Sequence, residues 1–322
     1  MLVISVLTVA VCLLGRMGQA QAQDRDQDSK WCAGTVAGGI SLDLQIAGCT
    51  ARIQSGQETN NNLAIAFYNR GHAYYDKSQY DLAIADFTHT IRLKPNFASA
   101  FTERCEVYLD NKEYQNAVQD CQRAATLNPN DASAWAYLGD TYAQMLQFDR
   151  AISSFAEAIK RDPNWMWPRN DRGEVYLQSG NYDLAIADFD ESKRLEPQSP
   201  MGWNNSCRAR AIVGKIDQAL SDCNQAIKIQ PDFVNHMVIS GDVSAYQDRG
   251  LAKLKAGQFA SALSDFESAF RLLPISGEIM YGRGIAKIKT GNMVGGNADI
   301  TAAKVLDPKI VETYAKYGVP PG

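Results

Sequence analysis

Along most of the chain, small and apolar residues recur at i, i+4 and i+7 through two successive runs, a break follows, and the pattern starts again. The octamer YDLAIADF at Tyr80–Phe87 returns at Tyr182–Phe189, an offset of 102, or three times 34. Prolines mark the same period at Pro95, Pro129, Pro163, Pro197 and Pro231, then after one longer step at Pro274 and Pro308. With each proline set at position 32, seven units begin at Ala64, Ala98, Ala132, Met166, Pro200, Val243 and Gly277. Position 8 is Gly or Cys in every unit, position 20 is Ala or Gly, and position 24 is Phe, Cys or Ile. Small residues at 8 and 20 let two helices approach closely. The pattern therefore predicts helix, turn, helix in each unit, with the proline closing the second helix because it cannot continue one.

The third unit carries the fullest set of marks: Trp135, Leu138, Gly139, Tyr142, Ala151, Phe155, Ala158 and Pro163. At these offsets the chain resembles the tetratricopeptide repeat family from Ala64 to about Ile310. The resemblance implies an all-α fold, a right-handed superhelical solenoid of antiparallel helix pairs in seven units, at 64–97, 98–131, 132–165, 166–199, 200–233, 243–276 and 277–310. It also implies a concave groove lined by the first helices, which in such arrays takes peptides or protein surfaces. The units are not equivalent. Position 11 is Tyr in the first four and Arg210, Lys253 and Lys287 in the last three. An insertion at 234–242 is expected to loop out or lengthen a helix, and to bend the array into two parts. Residues 23–63 read as a linker and capping segment, and 311–322 as a C-terminal capping helix and tail.

Residues 1–22 run apolar from Leu2 to Leu14 and reach Ala20-Gln21-Ala22, the form of a cleaved secretory signal. The expected destination is the periplasm or the exterior, with a lipid anchor on Cys12 as the lesser alternative. The bacterial setting is an analogy with other short exported repeat chains. Loss of Arg16 with the leader would leave 31 basic against 36 acidic residues, too even a balance to suggest nucleic acid or an anionic membrane surface as partner. Beyond the leader no second long apolar stretch suggests an integral membrane anchor.

Six cysteines remain after Cys12, and four of them occupy positions 8 and 24 of two units: Cys105 with Cys121, and Cys207 with Cys223. Cys32 and Cys49 repeat nearly the same spacing ahead of the array. In an oxidising compartment three local disulfides are expected, each stabilising by roughly 3 kcal/mol through closing a loop of this length. Arg at position 7 and Asp at position 23 occur together in five units, which predicts ion pairs between helices, each adding about 0.5 kcal/mol if half-exposed. No spacing of Cys and His suits a metal, no nucleophile is placed with a base, and no phosphate loop is present, so no cofactor, no metal and no catalysis are expected.

Positions 2, 5, 6, 9, 12 and 13 of the first helices should line the groove. In units two to four these give Glu103, Glu106, Asp110, Tyr137, Asp140, Trp167, Asp171 and Glu174, acidic and aromatic; in the later units they give Arg208, Leu251, Leu254 and Lys255, basic and apolar. Such a polarised groove would orient an extended ligand by complementary charge. Members of the family that capture C-terminal carboxylates carry Lys and Asn where the first unit has Tyr68 and His72, which argues against that mode. The expected function is a protein-interaction scaffold holding peptide or protein ligands in envelope protein assembly. The alternatives are a self-associating structural subunit, a homo-oligomer, or an accessory subunit of an envelope enzyme complex.

Overall fold

The computed structural model describes residues 26–34, 36–237 and 241–319; the expected leader at 1–22, with Cys12, lies outside them. The capping segment contains α1 at 26–33, a 3-10 turn at Val36–Gly38 and α2 at Leu42–Gln54. Seven helix pairs follow: α3 and α4 at Asn60–Asp76 and Tyr80–Leu93, α5 and α6 at Ala98–Asp110 and Tyr114–Leu127, α7 and α8 at Ala132–Gln144 and Phe148–Arg161, and α9 and α10 at Trp167–Gln178 and Tyr182–Leu195. Then come α11 and α12 at Pro200–Ile212 and Ile216–Ile229, α13 and α14 at Ala245–Lys255 and Phe259–Leu272, and α15 and α16 at Gly277–Lys289 and Met293–Leu306, with α17 at Ile310–Lys316. Among the described residues the fold is helical apart from one short hairpin. No helix of the described residues is long and apolar enough to cross a membrane.

Each second helix ends two residues before its proline, and the residue between them is extended, from Lys94 (φ −135°, ψ 79°) to Asp307 (φ −135°, ψ 100°). The proline ring excludes the helical conformation at the preceding residue, so the termination is local and repeats with the sequence. The turn within each pair is equally regular. Position 15 is left-handed in all seven units: Ser78, Lys112, Leu146, Gly180, Gly214, Gly257 and Gly291. Glycine adopts that conformation freely, whereas a residue with a Cβ is strained by roughly 1 kcal/mol. Leu146 is also 65% exposed and has little packing to lose. Leu146→Gly is expected to raise stability by about 0.5 kcal/mol, read as a rise in thermal midpoint; a fall would show that its side chain is anchored.

Position 8 meets position 24 in the first, second and fourth to seventh pairs. A Cβ added at Gly71, Gly173 or Gly250 would lie 2.9, 2.5 or 3.1 Å from the ring of Phe87, Phe189 or Phe266, so the glycines are there to admit the rings. Cys105–Cys121 and Cys207–Cys223 replace that contact with a disulfide in the second and fifth units, and Cys32–Cys49 joins α1 to α2. The position 7 and 23 residues form two-pronged ion pairs within a unit: Arg70–Asp86, Arg104–Asp120, Arg172–Asp188, Arg249–Asp265 and Arg283–Asp299, at 2.6 to 2.9 Å. Their arginines are only 12–20% exposed, so they are more shielded from water than half-exposed pairs. The basic residues at position 11 reach the carboxylate at position 23, joining an existing pair in the sixth and seventh units and, in the fifth, supplying the cation where position 7 is Ser206. Arg210 reaches Asp222, Lys253 lies 2.7 Å from Asp265, and Lys287 lies 2.8 Å from Asp299.

The insertion is neither a loop nor a helical extension. Strand β1 (Val234–Met237) pairs antiparallel with β2 (Gly241–Ser244), Val234 opposite Ser244 and Met237 opposite Gly241. A hairpin satisfies the backbone of so short a segment without a further helix. Ser244 then caps α13, its hydroxyl accepting from the Gln247 N–H at 3.3 Å. The strand thus takes up the first two residues, Val243 and Ser244, that the repeat count gives to the sixth unit. Contacts divide the chain into two compact units between Thr141 and Tyr142, not at the insertion.

Candidate functional site

In the unit that ends at Thr141, the faces of α3, α5 and α7 bring together carboxylates and tyrosines from successive repeats. The Tyr68 hydroxyl donates to Glu103 at 3.4 Å, and the Tyr75 hydroxyl to Asp110 at 2.7 Å. Glu106 accepts from Tyr75 and Tyr137. Each pair joins neighbouring units at positions 5, 6, 9, 12 and 13, which one helix face presents together. His72 Nε2 stands 3.5 Å from Glu103, and its ring packs edge-on against Tyr68 and Phe87.

Electrostatics follow from this crowding. Burial, then the neighbouring Glu106, raises the Glu103 carboxyl to about 7. Burial also raises Glu106, although two tyrosine hydrogen bonds pull the other way. Burial holds His72 below the ordinary imidazole value, and Tyr68, Tyr75 and Tyr137 are raised by burial and by adjoining carboxylates. Asp140, half-buried on α7, adds its charge beside Tyr137. Among the described residues no Lys or Arg forms an ion pair with Glu103, Glu106 or Asp110. Tyr75, Asp76 and Asn69 belong to this face as well. They occupy positions 12, 13 and 6 of the first unit, so the spacing that gives Glu103 and Asp110 also gives them.

In the unit that begins at Tyr142 the expected groove residues have a different fate. Trp167 is 47% exposed at the start of α9 and Asp171 is half-buried, whereas Glu174 is buried. Arg208, Leu251 and Leu254 are 2%, 3% and 6% exposed, so they are interior residues and not an open lining. The chain's own C-terminal segment covers this face. Tyr314 donates to the Glu278 carbonyl oxygen at 2.7 Å, Tyr317 lies over Arg208, and Val319 is buried with Leu251 and Leu254 in one apolar cluster. Lys255 turns back to donate to the Ile212 carbonyl at 2.6 Å, at the end of α11, where a cation meets the negative end of the helix dipole.

Arg208 closes the cluster. Its guanidinium donates to Asp248 at 3.2 Å, to both Glu278 oxygens at 3.0 Å and to the Tyr317 hydroxyl at 3.0 Å. Burial raises Asp248 to about 7, with Arg208 opposing the shift.

These are the features of a helix-pair repeat protein with one open acidic and aromatic face. Sequence family models described as tetratricopeptide repeat match residues 64–97, 108–165, 137–200 and 248–298, together more than half of the chain. The chain belongs to the tetratricopeptide repeat family. No curated protein matches it by sequence. Among solved structures it is similar to the Cut9–Hcn1 hetero-tetramer of the APC/C, at 13% identity and a TM-score of 0.63, covering 86% of this chain and 52% of that one. It is also similar to a tetratricopeptide repeat protein from Parabacteroides merdae, at 16% identity and 0.60, covering 79% and 98%. Yeast Tom70 is similar at 18% and 0.50, covering 86% and 58%. The chain thus spans about half the length of the first and under two thirds of the third. At these identities the likeness establishes the fold.

Proposed function

We propose that the chain is a non-catalytic protein-interaction scaffold, exported and at work in envelope protein assembly, which holds an extended, positively charged segment of a partner against α3, α5 and α7. The observation that carries this reading is the unbalanced charge of that face. Elsewhere Asp86, Asp120, Asp188, Asp265 and Asp299 each hold a guanidinium, whereas Glu103 and Glu106 receive tyrosine hydroxyls and remain uncompensated among the described residues. A lysine or arginine brought by a partner would lower that cost, and tyrosine rings favour such cations. Three disulfides and the apolar leader support the oxidising compartment.

The test is calorimetric titration of the full chain with a Lys-Gly-Lys-Gly-Lys-Gly peptide amide and with its Glu counterpart. The basic peptide is expected to bind and the acidic one not, and Glu103→Gln with Glu106→Gln should weaken binding about tenfold, roughly 1.4 kcal/mol. Equal binding of the two peptides would overturn the reading. The pH dependence has a definite sign. A cation prefers ionised Glu103, whose free carboxyl titrates at about 7, so affinity rises from pH 6 to pH 8 and then levels. The same raised value makes the empty fold lose stability as pH rises from the unfolded value of about 4.5 to about 7. Glu103→Gln should flatten both profiles.

A further inference from the structure

Beside the acidic face, a cavity of about 400 Å³ opens between the capping segment and α3, lined by Ala33, Gly34, Ala37, Gln45, Asn69, His72 and Asp76. The volume is in the range that holds a small ligand or one residue of a peptide. One wall is fixed covalently. The Cys32–Cys49 disulfide joins α1 to α2, and Asn69 on α3 donates to the Cys32 carbonyl at 3.0 Å.

The chemistry of the lining has one sign. Gln45 is a polar side chain only 9% exposed, it faces the cavity, and its amide has no hydrogen-bond partner among the described residues. Its amide faces the cavity, so a ligand seated there can take the hydrogen bonds that it does not make within the described residues. Asn69 has spent an N–H on Cys32 and keeps its oxygen as an acceptor. Asp76 supplies a carboxylate, and neither Lys nor Arg is among the lining residues. Acceptors with one negative charge suit a donor that is all N–H and positive. His72 links the cavity to the acidic face, since it lines the one and stands 3.5 Å from Glu103 on the other.

We propose that this cavity is an end-anchor site that takes a primary ammonium group of the bound basic segment, seated between Gln45, Asn69 and Asp76, while the rest of the segment runs over Glu103 and Glu106. The inference rests on the basic-segment reading above and adds to it a place where the segment stops. An α-amino group and a lysine side chain share the ammonium chemistry. The experiment separates them.

The full chain is titrated with the Lys-Gly-Lys-Gly-Lys-Gly amide, with its N-acetylated form, and with a form whose first lysine is replaced by norleucine. Loss of about tenfold on acetylation identifies the α-amino group as the anchored ammonium, and the same loss with norleucine identifies the side chain. Either result supports the site if Gln45→Leu and Asp76→Asn abolish the difference between the peptides. Removal of the Cys32–Cys49 bridge in the Cys32→Ser, Cys49→Ser protein should also narrow it. Equal affinity for all three peptides would overturn the anchor, and needs no variant to fold. If the anchor fails while Glu103→Gln with Glu106→Gln still weakens binding, the scaffold reading stands alone. If neither pair of variants matters, both fall.

Discussion

Arg208→Ala is expected to cost about 3–5 kcal/mol, because it leaves a buried carboxylate without its cation. Arg208 is 2% exposed and Asp248 is fully buried, and the same guanidinium serves Glu278 and Tyr317. One side chain therefore ties α11 to α13, α15 and the segment after α17. The loss should depend on pH. Asp248 already titrates at about 7 with Arg208 opposing its rise, so removing Arg208 raises it further. A carboxyl with a raised folded value keeps its proton in the native state while the unfolded chain has released it, so stability falls as pH rises above about 4. The penalty of Arg208→Ala should accordingly be larger at pH 8 than at pH 5. Pairing it with Asp248→Leu should recover much of the loss, as exchange of a buried ion pair for apolar residues often does. Hydrogen exchange at the amides of α11 to α15 is the suitable measurement, since helix-pair arrays need not unfold in one step. A loss below about 1 kcal/mol, the range of exposed pairs, would show that water reaches the cluster.

This cluster is also where sequence periodicity ceases to inform. Helix ends, close-packed small residues and the Arg/Asp pairs are each fixed by residues one helix pair apart, and each recurs with the repeat, so seven copies make them legible. Arg208 meets Tyr317 across 109 positions, and among the described residues no copy of that contact recurs with the repeat to announce it. Arg208 therefore reads as groove lining until the C-terminal segment is seen to cover it. The hairpin at β1 and β2 is a single event of the same kind. By contrast, two features were within reach. Arg210–Asp222, Lys253–Asp265 and Lys287–Asp299 share a spacing of twelve residues, which makes the change at position 11 a cation on the position 23 carboxylate, replacing the missing arginine in the fifth unit and adding to the pair in the sixth and seventh, and not a change of groove character. Asn69, Tyr75 and Asp76 fall on the same face positions as Glu103 and Asp110. The acidic face itself was legible because it is written in consecutive units, while the cavity beside it depends on the non-repeating cap.

The exchange of Gly and Phe for two cysteines in the second unit makes the last expectation quantitative. In the first, fourth and sixth units, where position 24 is Phe, a Cβ at position 8 would come within 2.5 to 3.1 Å of the ring, so neither residue can change alone without a clash or a void. Cys105 and Cys121 change together, and the disulfide spans the space that a ring fills elsewhere, with Cα atoms 5.4 Å apart. Cys105→Ala with Cys121→Ala should lose the crosslink, about 3 kcal/mol for a loop of this length, and also leave a void costing roughly another 2 kcal/mol. Cys105→Gly with Cys121→Phe should lose the crosslink but regain the ring contact of Gly71 and Phe87, and so fall about 1–2 kcal/mol short of the disulfide once the extra freedom of glycine is counted. Cys121→Phe by itself should be worse than either, since the ring meets the Cys105 Cβ. The order is read from exchange at the amides of α5 and α6 under oxidising conditions. If the alanine and Gly/Phe pairs prove equally stable, position 24 contributes no packing in this unit, and the cysteines serve only as a crosslink.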